Sequence, residues 1–242
     1  MSNASDLSVR VLVTGFGPFP SIPHNASASL ALAFANSPAA PGLEIATAII
    51  PVIWASARSA AREAVARFQP DAILHFGVSK RAFGFEIETR AFNMSGPRED
   101  HAGVVPPEKP LIQRGKPVLM STLPPLDLLR ALTADGFPAS LSEDAGRYLC
   151  NALFYWSLYD GETDGRLVSF VHMPALGGEP EVEPRLTMEE AVAGARIIVR
   201  ASAEAMLRAR EDGLKRRESI GHGSQALHRD GRSDCLAGGG DG

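Results

Sequence analysis

Ala72-Ile73-Leu74-His75-Phe76-Gly77 shows no alternation of apolar and polar side chains. A strand that is apolar on both faces belongs inside a sheet covered above and below, as parallel sheets are. This run therefore predicts an α/β protein. Upstream, residues 9–14 and 45–50 are further strand-like runs, and helical periodicity over 26–35 and 55–68 separates the three. Asn25 stands where helix 26–35 needs a cap, and Pro70 stops helix 55–68. Strand, helix, strand, helix, strand is the pattern of an open, mostly parallel sheet with helices on both sides, a three-layer α/β/α sandwich. Ligands in such folds bind beyond the carboxyl ends of the strands, so 15–19 and 77–79 are expected to line one crevice.

Downstream, residues 80–116 loosen into an excursion, 117–122 return as a strand and 126–133 form a short helix. A strand-like lead-in at 139–141, a helix containing Cys150, a strand at 167–172 and a long helical run at 186–210 follow. The expected organisation is an N-terminal extension at 1–8, one α/β domain at 9–211 and a tail at 212–242. That tail has too little apolar surface to offset the entropy of ordering it, so disorder is expected there.

With 242 residues, 45% of them apolar, and a formal net charge of -4, the chain suits one domain with an ample core. No basic field points to nucleic acid. The apolar stretches are too short to span a bilayer and residues 1–6 lack a leader's apolar region, so no membrane partner is expected and the location reads as cytoplasmic. Cys150 and Cys235 lie in unlike surroundings, one in a helix and one in the polar tail, which argues against a disulfide. The spacing of His222, His228 and Cys235 fits no zinc pattern, so no metal is expected. The loop Gly15-Phe16-Gly17-Pro18-Phe19-Pro20 lacks a third glycine, and its prolines keep a helix from opening on it, so it is no dinucleotide fingerprint and no cofactor is expected. Its two aromatics, expected exposed, can hold a flat uncharged ring or simply cover the sheet end.

Chemistry gathers around Ser142-Glu143-Asp144-Ala145-Gly146-Arg147-Tyr148-Leu149-Cys150-Asn151. Tyr148, Leu149, Ala152, Leu153 and Trp156 recur at helical spacing as one buried face, with Asp144 placed to cap. A thiol in the first turns of a helix sits at the positive end of the macrodipole, which favours the thiolate. A core cysteine is the plainer alternative. Leu167-Val168-Ser169-Phe170-Val171-His172-Met173-Pro174 ends a strand on His172, and Glu86-Ile87-Glu88-Thr89-Arg90-Ala91-Phe92-Asn93 alternates as a half-buried strand. Cys150, His172 and Glu88 supply the nucleophile, base and orienting carboxylate of a generalised triad. His75, inside an apolar strand, reads as a core histidine, and His101 as loop surface.

In four ordered blocks the chain resembles the pyroglutamyl peptidase I family of cysteine peptidases, also called pyrrolidone carboxyl peptidases. These are Val13-Thr14-Gly15-Phe16-Gly17-Pro18-Phe19 with Asn25-Ala26-Ser27, then Glu88-Thr89-Arg90-Ala91-Phe92-Asn93, the Cys150 block and the His172 block. The resemblance implies removal of an N-terminal pyroglutamate (5-oxoproline) from peptides, with Cys150, His172 and Glu88 catalytic. It also implies that Phe16 and Phe19 clamp the lactam ring, that Asn25, Val78 and Arg98 belong to the substrate site, that 80–116 contains a protruding hairpin, and that the chain forms a homo-oligomer, a tetramer. Two departures stand out. Gly77-Val78-Ser79-Lys80-Arg81-Ala82 replaces a polar residue and a Gly-Gly-Arg run, and Val78 has no side-chain hydrogen bond to offer the lactam. Asn25-Ala26-Ser27 replaces Asn-Pro-Ser. A thiol hydrolase of the same fold acting on another cyclic or N-blocked amide, or a noncatalytic binding protein on this scaffold, remains an open alternative at this stage.

Overall fold

The computed structural model describes residues 8–19, 24–35, 40–106, 110–176 and 186–227, with side chains up to residue 213. The elements run β1 (Val9–Phe16), α1 (Ala26–Ala35), β2 (Leu43–Ile50), α2 (Trp54–Phe68), β3 (Ala72–Ser79), β4 (Phe85–Glu88), β5 (Arg90–Phe92), β6 (Val118–Met120), α3 (Pro125–Ala134), β7 (Ala139–Ser142), α4 (Leu149–Gly161), β8 (Leu167–Pro174) and α5 (Met188–Leu227). Six strands form one sheet in the order β2-β1-β3-β8-β4-β7. All neighbours are parallel except β4 and β8, which run antiparallel.

Alternation sorts the side chains between two covered faces. Leu12, Phe16, Ile73, Val168 and Phe170 meet α2 and α4 on one side, where Ala57, Ala61 and Ala64 keep the α2 surface small enough for close approach. On the other side α1 lies against the first strands, and α5 presses Gly194 onto Phe85. Both faces of β1 and β3 are thereby dry, as their continuous apolar character requires.

Several expectations change in detail. Glu86 and Glu88 sit in β4, which enters the main sheet between β8 and β7, so the excursion after Lys80 begins inside the core. β5 and β6 form a separate two-stranded antiparallel sheet, so the strand at 117–122 does not join the main one. α4 is buried nearly all round rather than along one face, because it fills the space between the sheet and α2. Its N-cap is Tyr148, not Asp144; Asp144 instead accepts a hydrogen bond from the Gly146 amide and pairs with Arg147. α5 continues past Arg210 to Leu227, beyond residue 212 where the tail was expected to begin. The compact unit closes at Met206 and a second begins at Leu207. Residues 1–7 and 228–242, with His228 and Cys235, lie outside the described residues. Among the described residues no helix is long and apolar enough to cross a membrane.

β1 meets α1 at a joint with no room for a side chain. A methyl group on Gly15 would sit 2.0 Å from the Ser27 carbonyl oxygen, which belongs to the backbone and cannot swing away. Gly15→Ala is expected to cost at least about 3 kcal/mol, the upper end of overpacking penalties. Urea unfolding checks it, and an unchanged midpoint contradicts this packing.

Candidate active site

At the carboxyl ends of β1, β3 and β8 lies a cavity of about 960 Å³. Phe16, Phe19, Asn25, Val78, Glu88, Arg98, Cys150 and His172 all line it, so every site residue expected from the sequence comes to one place. Their order in the wall follows from the sheet. His172 is paired with Gly77 of β3 on one side and Glu86 of β4 on the other. Cys150, the second residue of α4, stands over Gly77: a methyl group there would reach within 3.2 Å of Cys150 Sγ and 2.8 Å of the Phe170 ring. Only a bare backbone leaves room for the sulfur.

His172 is buried and donates from Nδ1 to Glu88 Oε1 at 2.8 Å, while its ring also hydrogen-bonds Cys150. Burial alone would push the imidazole pKa down, but the hydrogen bonds and charges of Cys150 and Glu88 outweigh it and raise it to about 10. The imidazolium is thus the resting form at neutral pH, poised to give a proton away. Glu88 is 1% exposed, and its Oε2 has no hydrogen-bond partner among the described residues. The antiparallel pairing with β8 brings this carboxylate to the ring, since Glu88 lies opposite Phe170 and diagonal to His172.

The amides of Leu149, Cys150 and Asn151 precede the first intrahelical hydrogen bond of α4, from Ala152 N–H to Tyr148 C=O. Orphan donors of this kind suit an oxyanion. Asn151 has a different task. Buried beside Cys150, it accepts from Phe92 N–H and donates to the Phe92 and Met94 carbonyls, tying α4 to β5. A polar side chain amid Leu, Ala and Phe has to find partners of this kind, which is the signal for Asn151 in the sequence.

Asn25 caps α1 through Ser27 N–H and also donates to the Gly17 carbonyl, while Ser27 Oγ accepts from Phe16 N–H. It therefore fixes the loop carrying the two phenylalanines. Phe16 is 4% exposed, against the expectation of an exposed ring, because its other side packs on Phe170. Phe19 remains half-buried at the rim, with Tyr148 beside it at 6.4 Å between ring centroids. The Arg98 guanidinium lies over both, 4.6 Å from the Tyr148 ring and 5.7 Å from Phe19, and Trp54 closes edge-on to Tyr148 at 5.6 Å. Tyr148 was not legible as a site residue, nor Trp54 as its support. Nothing in their local spacing distinguishes them from helix-start packing. Asp100 anchors the Arg98 loop by accepting from the amides of Trp54, Ala102 and Val104. His75 is a core histidine, bonded to Thr14 and Ser157 and held neutral by burial, with a pKa pushed down to about 3.

Residues 9–205 match the pyroglutamyl peptidase family. A pyrrolidone-carboxylate peptidase of Vibrio vulnificus (strain CMCP6) is 34% identical over 188 residues, spanning 76% of this chain and 88% of the relative. Pyrrolidone-carboxylate peptidase 1 of Ralstonia nicotianae is 31% identical over 225 residues, spanning 90% of this chain and 99% of that protein. The crystal structure of pyroglutamyl peptidase I from Bacillus amyloliquefaciens superposes with a TM-score of 0.77 at 25% identity, covering 81% of this chain and 95% of its own.

The raised imidazole pKa has a definite sign in stability. A group whose folded pKa of about 10 exceeds its ordinary 6.5 stabilises the fold fully below 6.5 and loses that contribution as pH rises through 10. Breaking a buried pair of this kind costs about 3–5 kcal/mol at neutral pH. The stability advantage of wild type over His172→Gln, read by urea unfolding across pH, is expected to shrink from pH 6.5 to 10. An advantage that grows over that window contradicts the assignment.

Proposed function

The chain belongs to the pyroglutamyl peptidase family, whose members are cysteine peptidases, and from that premise we propose that it releases N-terminal pyroglutamate through Cys150, His172 and Glu88. The observation that carries this reading is His172, held between a buried carboxylate at 2.8 Å and Cys150, the only cysteine among the described residues of the cavity wall. The Cys150 sulfur attacks the carbonyl that joins the lactam to the next residue, and the backbone amides at the start of α4 stabilise the oxyanion. The His172 imidazolium gives its proton to the departing amine, leaving a thioester on Cys150. Neutral His172 then takes a proton from water, the hydroxide displaces the thiolate, and 5-oxoproline departs with the imidazolium restored. Glu88 keeps the ring oriented through both steps and offsets its positive charge.

Phe16 and Phe19 form the apolar end of the slot that takes the lactam. An uncharged ring loses little by entering it, whereas an ordinary ammonium terminus loses hydration and finds no carboxylate there. That accounts for selection of a blocked terminus. Val78 offers the lactam no side-chain hydrogen bond, so its polar atoms are met by backbone groups at the end of β3. Arg98, parked on Tyr148 and Phe19, serves the rim rather than the oxyanion. Exposed Val104, Val105, Val118 and Met120 support self-association, with the tetramer as the expected state. A working thiol needs a reducing compartment, which supports a cytoplasmic location.

Hydrolysis of a pyroglutamyl fluorogenic amide beside its prolyl and alanyl counterparts tests the reading. Turnover of the pyroglutamyl compound alone is expected, with loss of at least about 10³-fold in Cys150→Ser while the fold persists by circular dichroism. Thiol-dependent cleavage of a different cyclic amide, with the pyroglutamyl compound untouched, favours the Val78-driven alternative. Full activity in Cys150→Ser removes the nucleophile assignment.

A further inference from the structure

Glu86 lines the same cavity and has no part in the steps above. It lies directly opposite His172 in the β4–β8 pairing, and its carboxylate, that of Glu88 and a ring nitrogen of His172 fall within 4.8 Å of one another. Glu88 is spent on the imidazole. Glu86 is half-buried and has no ion-pair or hydrogen-bond partner among the described residues. It is a carboxylate at a pocket wall, and the His172 imidazolium near it is already engaged by Glu88.

Where that charge stands relative to the reaction is fixed by the sheet. The Thr14 to His75 hydrogen bond puts Thr14 and His75 on one face, and alternation puts Phe16 and Gly77 on it too. Gly77 pairs with His172, and His172 with Glu86. Across four neighbouring strands the order is therefore Phe16, then Gly77 beneath Cys150, then His172, then Glu86. Adjacent strands are about 4.8 Å apart, so Glu86 lies one strand beyond His172 and roughly 10 Å from Gly77. In the proposed reaction the acyl carbon is bonded to Cys150, its lactam lies on the Phe16 side, and the departing nitrogen must face His172. The peptide that leaves is thereby directed along the row towards β4.

Resting on that reading, we propose that Glu86 is a specificity-determining residue that favours peptides with a cationic side chain, Lys or Arg, immediately after the pyroglutamyl group. The other acidic side chains on this flank are neutralised: Glu143 pairs with Arg90, and Asp144 with Arg147. Lys80 and Arg81 also line the cavity, in the 80–84 connection that carries the chain from the end of β3 across β8 to β4. An anionic side chain after the pyroglutamyl group meets Glu86 as a like charge, and a neutral one gains nothing from it.

The test measures kcat/KM for pyroglutamyl-arginine amide, pyroglutamyl-glutamine amide and pyroglutamyl-glutamate amide by release of 5-oxoproline, in wild type, Glu86→Gln and Glu86→Lys. Wild type is expected to prefer the arginine over the glutamate substrate by roughly five-fold or more, with the ratio falling as salt is raised. Glu86→Gln is expected to bring the two towards equality, and Glu86→Lys to invert their order. Equal wild-type rates for all three overturn the proposal, as does a preference that persists in both variants. If either variant fails to fold, the wild-type ratio and its salt dependence decide alone. Failure of wild type to cleave even the glutamine substrate counts against the proposed function itself, and is thereby distinct from a cleaved but unranked series.

Discussion

The hydrogen bond from His172 to Glu88 is the contact on which the rest of the site depends. A carboxylate 1% exposed is costly to bury, and so is an imidazolium; each is tolerated only because the other is 2.8 Å away. The pair is brought together by the single antiparallel joint in an otherwise parallel sheet. Were β4 parallel to β8, its register and the row of side chains facing the ring would both change. Insertion of a short reversed strand next to the last core strand is thus a functional feature of the topology.

Around this pair, polar side chains with no chemistry of their own hold the reacting ones. Asn151 pins the start of α4 to β5, Asn25 pins the phenylalanine loop to α1, and Asp100 pins the loop that carries Arg98. Each is a buried or half-buried group whose hydrogen bonds are made to backbone, so each fixes main-chain geometry rather than one rotamer. Gly77 contributes by omission, leaving the space that Cys150 occupies. Such precision suits proton transfer, where reach is set by a few tenths of an ångström.

Much of this was legible in the chain. The apolar runs of β1 and β3 announce a sheet covered on both faces, and Cys150, His172 and Glu88 each stand at the end of a periodic segment beside a loop. What stayed hidden is of another kind. Phe16 reads as a loop aromatic, yet Phe170, from a strand 154 residues further on, buries it. Asp144 has the right chemistry for a cap but is diverted to Arg147. The helical run beyond Arg210 has no apolar stripe to announce it. Glu86 looks like an ordinary solvent-facing strand residue until the pairing with His172 is known. For Phe16 and Glu86 the missing information is a partner distant in sequence.

The protonation state of His172 tests the central claim most directly. Imidazole nitrogen NMR of selectively labelled protein, followed across pH, reports it without turnover. The Glu88 and Cys150 contacts predict an imidazolium that persists through neutral pH and titrates near 10. A ring that loses its proton near 6.5, as an unpartnered histidine does, would contradict the account.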